Sequence, residues 1–220
     1  MKHTKNFLWP LTILLCLTIT LSVVAHASTQ LDIFVRAGQI AKEKLNQNIQ
    51  QVSLDSQKVY ATGNDFTISR EYFDLTVEEF LLSGVSPEEA KILAEKTLFE
   101  KYSLFFAAQK AHCVVDDSQV YAVIEDTKNG IGQATNKSDF YNYLDGMGLT
   151  EDEYWKSQFE NIKMYESITA YQETCYQSFV TDQAATLESC DSDSVVVTWE
   201  NYWANIIEEA LKEQNIVKEQ

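Results

Sequence analysis

The stretch Val59–Leu82, VYATGNDFTISREYFDLTVEEFLL, decides the fold. Val59 and Tyr60 favour a strand, Gly63-Asn64-Asp65 supply a turn, and Phe66-Thr67-Ile68 favour a second strand. Ser69 is placed to cap a helix that follows at once. Phe73, Val77, Phe80 and Leu81 then fall at i, i+4, i+7 and i+8, the spacing of one buried helical face. The pattern is a small hairpin running directly into a helix.

Outward from this point the chain reads as a series of capped helices. Before it, Leu31 to Val52 carries Ile33, Phe34, Ala37, Ile40, Ala41, Leu45 and Ile49 on one face. After it, Ser86-Pro87-Glu88-Glu89 is a helix start: Ser86 caps, Pro87 sits in the first turn and Glu89 is placed to close a capping box. That helix runs to about His112. Ile92, Leu93, Leu98, Phe99, Tyr102, Phe105 and Phe106 cover so wide an arc that it should be central, with Phe99, Phe105 and later Phe159 in the core. Asp116 with Gln119 starts the next helix, which stops near Gly130. A short helix begins at Lys137 or Ser138 and ends at Gly146. Thr150-Glu151-Asp152-Glu153 is another capping box and opens a long helix through Phe179. Thr181 to Ser194 reads as a polar loop and Val195–Val197 as a strand. Trp199, Tyr202, Trp203, Ile206, Ile207, Ala210 and Leu211 form the apolar stripe of a last helix. The expected class is mainly α, with at most a two- or three-stranded sheet from the Val59, Phe66 and Val195 segments. The first and last helices are expected to pack on each other or on the central helix.

The beginning of the chain reads as a sorting signal. Lys2, His3 and Lys5 precede an apolar run from Phe7 to Val24, and Ala25-His26-Ala27 has the small-x-small form of a signal-peptidase site. Residues 1–27 are expected to be a signal peptide cleaved after Ala27. The competing reading is an uncleaved membrane anchor, since about 18 apolar residues just span a bilayer. Leu15 before Cys16 argues against lipidation. Either way, the bulk of the chain is expected outside the cytoplasm.

The chain is 45% hydrophobic with a net charge of −16, so it can build a core while presenting an acidic surface. Such a surface argues against nucleic acid and anionic membranes. Cys113, Cys175 and Cys190 remain beyond the signal. Cys175 with Cys190 is the most plausible disulfide, although all three thiols are equally compatible with buried, reduced cysteine. Asp116-Asp117 and Asp191-Asp193 lack the oxygen spacing of a calcium loop. No phosphate loop, HExxH, GxSxG or CxxC is present, and no metal or cofactor is expected. His112 beside Cys113 is read as a helix-end residue, because neighbours on a helix point apart.

The order of elements resembles the N-terminal domain of SurA- and PrsA-type exported chaperones, which is related to the substrate-binding part of trigger factor. The resemblance lies in Tyr60-Ala61-Thr62-Gly63-Asn64-Asp65-Phe66-Thr67-Ile68-Ser69, in Phe106-Ala107-Ala108-Gln109-Lys110-Ala111 followed by Val115-Asp116-Asp117-Ser118-Gln119-Val120, and in Gly148-Leu149-Thr150-Glu151-Asp152-Glu153-Tyr154-Trp155. It divides the chain into an extra N-terminal helix over 28–56, a SurA-like helical domain over 57–180, and a loop with a C-terminal helix packing back over 181–220. Many members carry a parvulin prolyl-isomerase domain before the last helix. Here about twenty residues separate Phe179 from Trp199, too few for a domain. The turn order Gly-Asn-Asp also departs from the usual Asn-Gly-Glu.

The resemblance implies an exported, non-catalytic module that binds unfolded or extended polypeptides. The alternative is an envelope-associated interaction protein with one dedicated partner; prolyl isomerisation ranks below both. Tyr141, Tyr143, Tyr154, Tyr171 and Tyr176 are the candidate client-binding residues, because tyrosine tolerates a half-wet site.

Overall fold

The computed structural model describes residues 27–49, 59–188 and 198–219. In chain order these form α1 (Ala27–Ile49), β1 (Val59–Thr62), β2 (Thr67–Ser69), α2 (Arg70–Leu82), α3 (Pro87–Lys110), α4 (Asp117–Gln133), α5 (Lys137–Met147), α6 (Glu151–Glu188), α7 (Trp199–Gln214) and β3 (Val217–Lys218). The protein is mainly helical with one small antiparallel sheet. The apolar N-terminal run lies outside the described residues, as do Cys190, Asp191, Asp193 and the Val195–Val197 segment. Among the described residues no helix is long and apolar enough to cross a membrane.

The helix starts follow the local capping chemistry. Ser69 Oγ accepts the Tyr72 N–H at 3.0 Å, and Ser86 Oγ accepts the Glu89 N–H at 3.3 Å. Asp116 and Gln119 bond reciprocally, each side chain accepting the other's backbone N–H. Thr150 and Glu153 do the same, and Thr150 Oγ1 donates to Glu153 Oε2 as well. Each cap closes within three residues, so it forms with no help from the rest of the chain.

One departure from the sequence reading concerns extent, and one strand is an addition to it. Thr181–Glu188 continues α6 instead of opening a loop. The third strand is Val217–Lys218, after α7, so the sheet has the order β2-β1-β3. Ala61 lies opposite Ile68 on one side and Lys218 on the other, and the register slips between Val59 and Ala61. A two-residue strand has too little sequence to carry a pattern; only the exposed edge of β1 defines it.

The described chain divides into two compact units. The first holds residues 27–49, 74–93 and 121–158. Its defining contact is α1 on α5, a partner the sequence reading did not name for α1. Gly38 and Gly146 permit it. A Cβ added at Gly38 would overlap the Tyr143 carbonyl oxygen, and one at Gly146 would overlap the Val35 carbonyl. Phe34, Ile40, Leu144 and Met147 are buried around this crossing. Arg36 pairs with Glu78, and Lys44 Nζ lies 2.7 Å from Glu79.

The second unit holds residues 59–73, 94–120, 159–188 and 198–219. Tyr60 and Phe73 stack with ring centroids 3.6 Å apart, and Ile68 and Leu98 of the same unit are buried. Gly63 N–H donates to the Phe66 carbonyl at 2.8 Å and closes the hairpin turn. The last turn of α7 grips that turn: Asn64 N–H donates to the Gln214 carbonyl at 2.8 Å, and Asn64 Nδ2 donates to the Glu213 carbonyl.

The core is narrower than the apolar arcs suggest. On α3 the covered stripe is Ala90, Ala94, Leu98, Leu104 and Ala108. Phe99, Phe105 and Phe159 are half-buried, and Ile92 is 67% exposed. An arc that wide exceeds what neighbouring elements cover. On α2 the buried residues are Phe73, Leu75 and Thr76, while Leu81 is exposed. Phe73 belongs to one unit and Leu75 and Thr76 to the other, so no single stripe describes the helix.

Candidate binding surface

The last helix owes its amphipathic form to sequence: Thr198 caps it, accepting the Asn201 N–H, and Asn215 ends it in the left-handed region with φ 49°. Its apolar stripe meets the distal half of α6. There Trp199 packs edge-on to Tyr176, with centroids 5.1 Å apart and planes at 86°. Phe179 lies 5.7 Å from Trp199 and 5.3 Å from Tyr202. Trp199 stacks with Trp203 at 5.8 Å, and Trp203 reaches Tyr171 at 6.3 Å.

Six rings thus form one continuous surface, and none of the six is buried. Tyr176 is 40% exposed and Val180 beside it is exposed too. On the same two helices Cys175 and Ala210 are buried. Burial pushes the Tyr171 hydroxyl up to about 12, with Cys175 as the next cause, and burial also raises Tyr202. Asp182 and Glu209 act electrostatically on Tyr202, and Glu209 on Tyr171 as well, so the aromatic surface has an acidic rim.

The five candidate tyrosines separate in the structure. Tyr171 and Tyr176 are brought together in this surface. Tyr154 is only 5% exposed and packs against Phe140 at 5.4 Å, Trp155 at 4.9 Å and Tyr143 at 6.0 Å. Burial holds the Tyr154 hydroxyl up at about 12 and lifts that of Tyr143 well above its ordinary value. Tyr154 thus belongs to the interior of the first unit and has little face left to offer a ligand, whereas Tyr143 beside it is half-buried. Tyr141 is 46% exposed beside Phe140, in that same unit. Phe179, Trp199, Tyr202 and Trp203 were assigned by sequence to helix stripes rather than to a surface. Their clustering near the one long polar interruption, Thr181 to Ser194, was the available signal.

The other polar groups weighed from sequence are engaged locally. The Asp116 carboxylate is held below its usual range by the Ser118 hydroxyl and the Gln119 N–H, and Asp117 accepts Lys163 Nζ at 2.6 Å. Glu208 pairs with Lys212 at 2.7 Å. Among the described residues no group of three or more His, Cys, Asp or Glu is placed to hold a metal ion. His112 ends α3 in the left-handed region, φ 56°, as a helix-end residue.

No protein-family model, no curated protein and no solved structure matches this chain.

Proposed function

We propose that this chain is an exported, chaperone-like module that binds extended polypeptides without catalysis. The observation that carries the reading is the row of six half-buried to exposed rings from Tyr171 to Trp203, set in an acidic rim. Aromatic surface gives large contact area at low conformational cost, and weak, adaptable apolar contact suits many unrelated clients. The rim favours extended segments whose apolar side chains are flanked by lysine or arginine, with long-range attraction weakened by salt. Export rests on the Lys2–Lys5 region, the apolar run and Ala25-His26-Ala27. The order of motifs from Val59 to Phe179, similar to that of SurA-type domains, supports the same reading.

The test is suppression of aggregation. The purified chain, at near-stoichiometric ratio, should keep several unrelated unfolded proteins in solution, more effectively at low salt than at high salt. Activity on none of them, with capture of a single envelope protein, replaces this reading with a dedicated interaction protein. Measurable turnover of a prolyl peptide would defeat the non-catalytic assignment.

A further inference from the structure

Two thiols that the sequence keeps far apart converge in the second unit. The helix α3 ends where His112 enters the left-handed region, and Cys113 N–H donates back to the Ala108 carbonyl at 2.9 Å. This reversal, a common helix ending, aims the next side chain away from the α3 axis. The Cys113 sulfur lands on α6, with Sγ 3.6 Å from Thr174 Oγ1. Thr174 immediately precedes Cys175, and consecutive Cα atoms are about 3.8 Å apart. Two residues on, Val115 N–H donates to Ser167 Oγ at 3.2 Å, so the segment after α3 is pinned to α6 at two points. The Tyr171 hydroxyl, one turn before Cys175, hydrogen-bonds the Cys175 thiol and lies within electrostatic reach of Cys113. Cys175 is buried, Cys113 is half-exposed, and both are present as free thiols.

We propose that Cys113 and Cys175 form an intramolecular disulfide that clamps the end of α3 to α6 beneath the aromatic surface. This inference does not rest on the chaperone reading; it would hold for any exported role. Its location gives it a consequence for the surface, because Tyr171 bonds Cys175 on one side and meets Trp203 on the other. The pairing differs from the Cys175–Cys190 loop expected from sequence, and Cys190 lies outside the described residues.

The chemistry is thiol–disulfide exchange with a low-molecular-weight disulfide. Cys113, the more accessible thiol, loses its proton and attacks one sulfur of the small disulfide. One small thiolate leaves, and a mixed disulfide remains on Cys113. The Cys175 thiolate then attacks the Cys113 sulfur, forms the Cys113–Cys175 bond and expels the second small thiolate. Two protein thiols are oxidised, one small disulfide is reduced to two thiols, and the two protons released are taken up by those products. Burial pushes the Cys175 thiol up and so slows the second step, while the hydrogen bond from Tyr171 works in the opposite direction. A bond closing a loop of about 60 residues restricts the unfolded chain strongly, so oxidation should raise the unfolding temperature.

The experiment uses the purified full chain, incubated with oxidised glutathione, alkylated with iodoacetamide and mapped by mass spectrometry without reduction. The expected product joins the Cys113 peptide to the Cys175 peptide. Cys190→Ser keeps that product, Cys113→Ser abolishes it, and dithiothreitol returns both peptides as free thiols. Oxidised Cys190→Ser should unfold several degrees above its reduced form. A bond from Cys175 to Cys190, a bond from either thiol to Cys16, or Cys113 recovered only as its glutathione adduct would each overturn the proposal. Because the readout is a covalent map, it succeeds or fails whether or not the protein suppresses aggregation.

Discussion

Gln214 grips Asp65 with both ends of its side-chain amide. Gln214 Oε1 accepts the Asp65 backbone N–H at 3.0 Å, and Gln214 Nε2 donates to Asp65 Oδ2 at 2.8 Å. Gln214 is 1% exposed, so this amide is a buried polar group whose partners lie on a hairpin turn 149 residues earlier in the chain. It locks the C-terminal helix to the β1–β2 turn. Lys110 reinforces the junction, with Nζ 2.6 Å from Glu213 and 3.6 Å from Asp65.

Replacing Gln214 by Ala should therefore cost more than the packing of its methylenes. It strands the Asp65 N–H and weakens the turn, a loss of about 1–3 kcal/mol for buried polar groups left unpaired. The urea midpoint of Gln214→Ala against the parent chain reads this directly. An unchanged midpoint would show that the junction adds nothing to stability.

The aromatic surface makes a separable prediction. Tyr176→Ser with Val180→Ser removes exposed apolar groups without opening the core, so stability should stay within about 0.5 kcal/mol. Aggregation suppression should fall several-fold. Tyr141→Ser, equally exposed but in the other unit, should leave it unchanged. Equal losses in the two variants would mean that the α6–α7 surface has no special part in binding.

Glycines in different surroundings should respond with opposite signs. Gly146→Ala forces a methyl group into the Val35 carbonyl and should destabilise the protein by about 1–3 kcal/mol, as overpacking does. Gly132 lies in the last turn of α4 with open space around its Cβ position. Gly132→Ala should stabilise by about 0.5–1 kcal/mol, because alanine is the better helix former. Thermal melts of the two variants, run side by side, check the contrast; a common sign would contradict the packing described for α1 on α5.

Two carboxylates predict a pH dependence. Burial raises Glu166, and burial also raises Glu100 against the opposing charge of Lys96. A carboxylate whose pKa is higher folded than unfolded binds more protons in the native state between those two values. Stability therefore falls as pH rises through that window, and the unfavourable contribution persists above it. Glu166→Gln should raise the unfolding temperature at neutral pH and flatten its decline above the ordinary glutamate range. A larger stabilisation at acid pH than at neutral pH would reverse the sign argued here.

Much of this architecture is legible residue by residue. The starts of α2, α3, α4 and α6 are written in Ser69, Ser86, Asp116–Gln119 and Thr150–Glu153, because each cap is a hydrogen bond between neighbours in the chain. The amphipathic stripe of α7 is equally local. The fate of the candidate tyrosines was not: Tyr154 and Tyr176 share residue type and helix, yet one is packed beneath Phe140 and the other borders Trp199 in the open. Their difference lies in which distant segment arrives beside them.

The sequence alone thus settled the helical class, the hairpin that runs into α2 and the points where helices begin, since short-range hydrogen bonds and periodic side chains suffice for these. Tertiary structure alone decided that Val217–Lys218 completes the sheet, that Gly38 and Gly146 let α1 approach α5, that six rings of α6 and α7 share one surface, and that Cys113 comes to rest beside Thr174. Each of these joins residues far apart along the chain. No periodicity encodes such a meeting, because it depends on where whole elements settle once their apolar faces compete for cover.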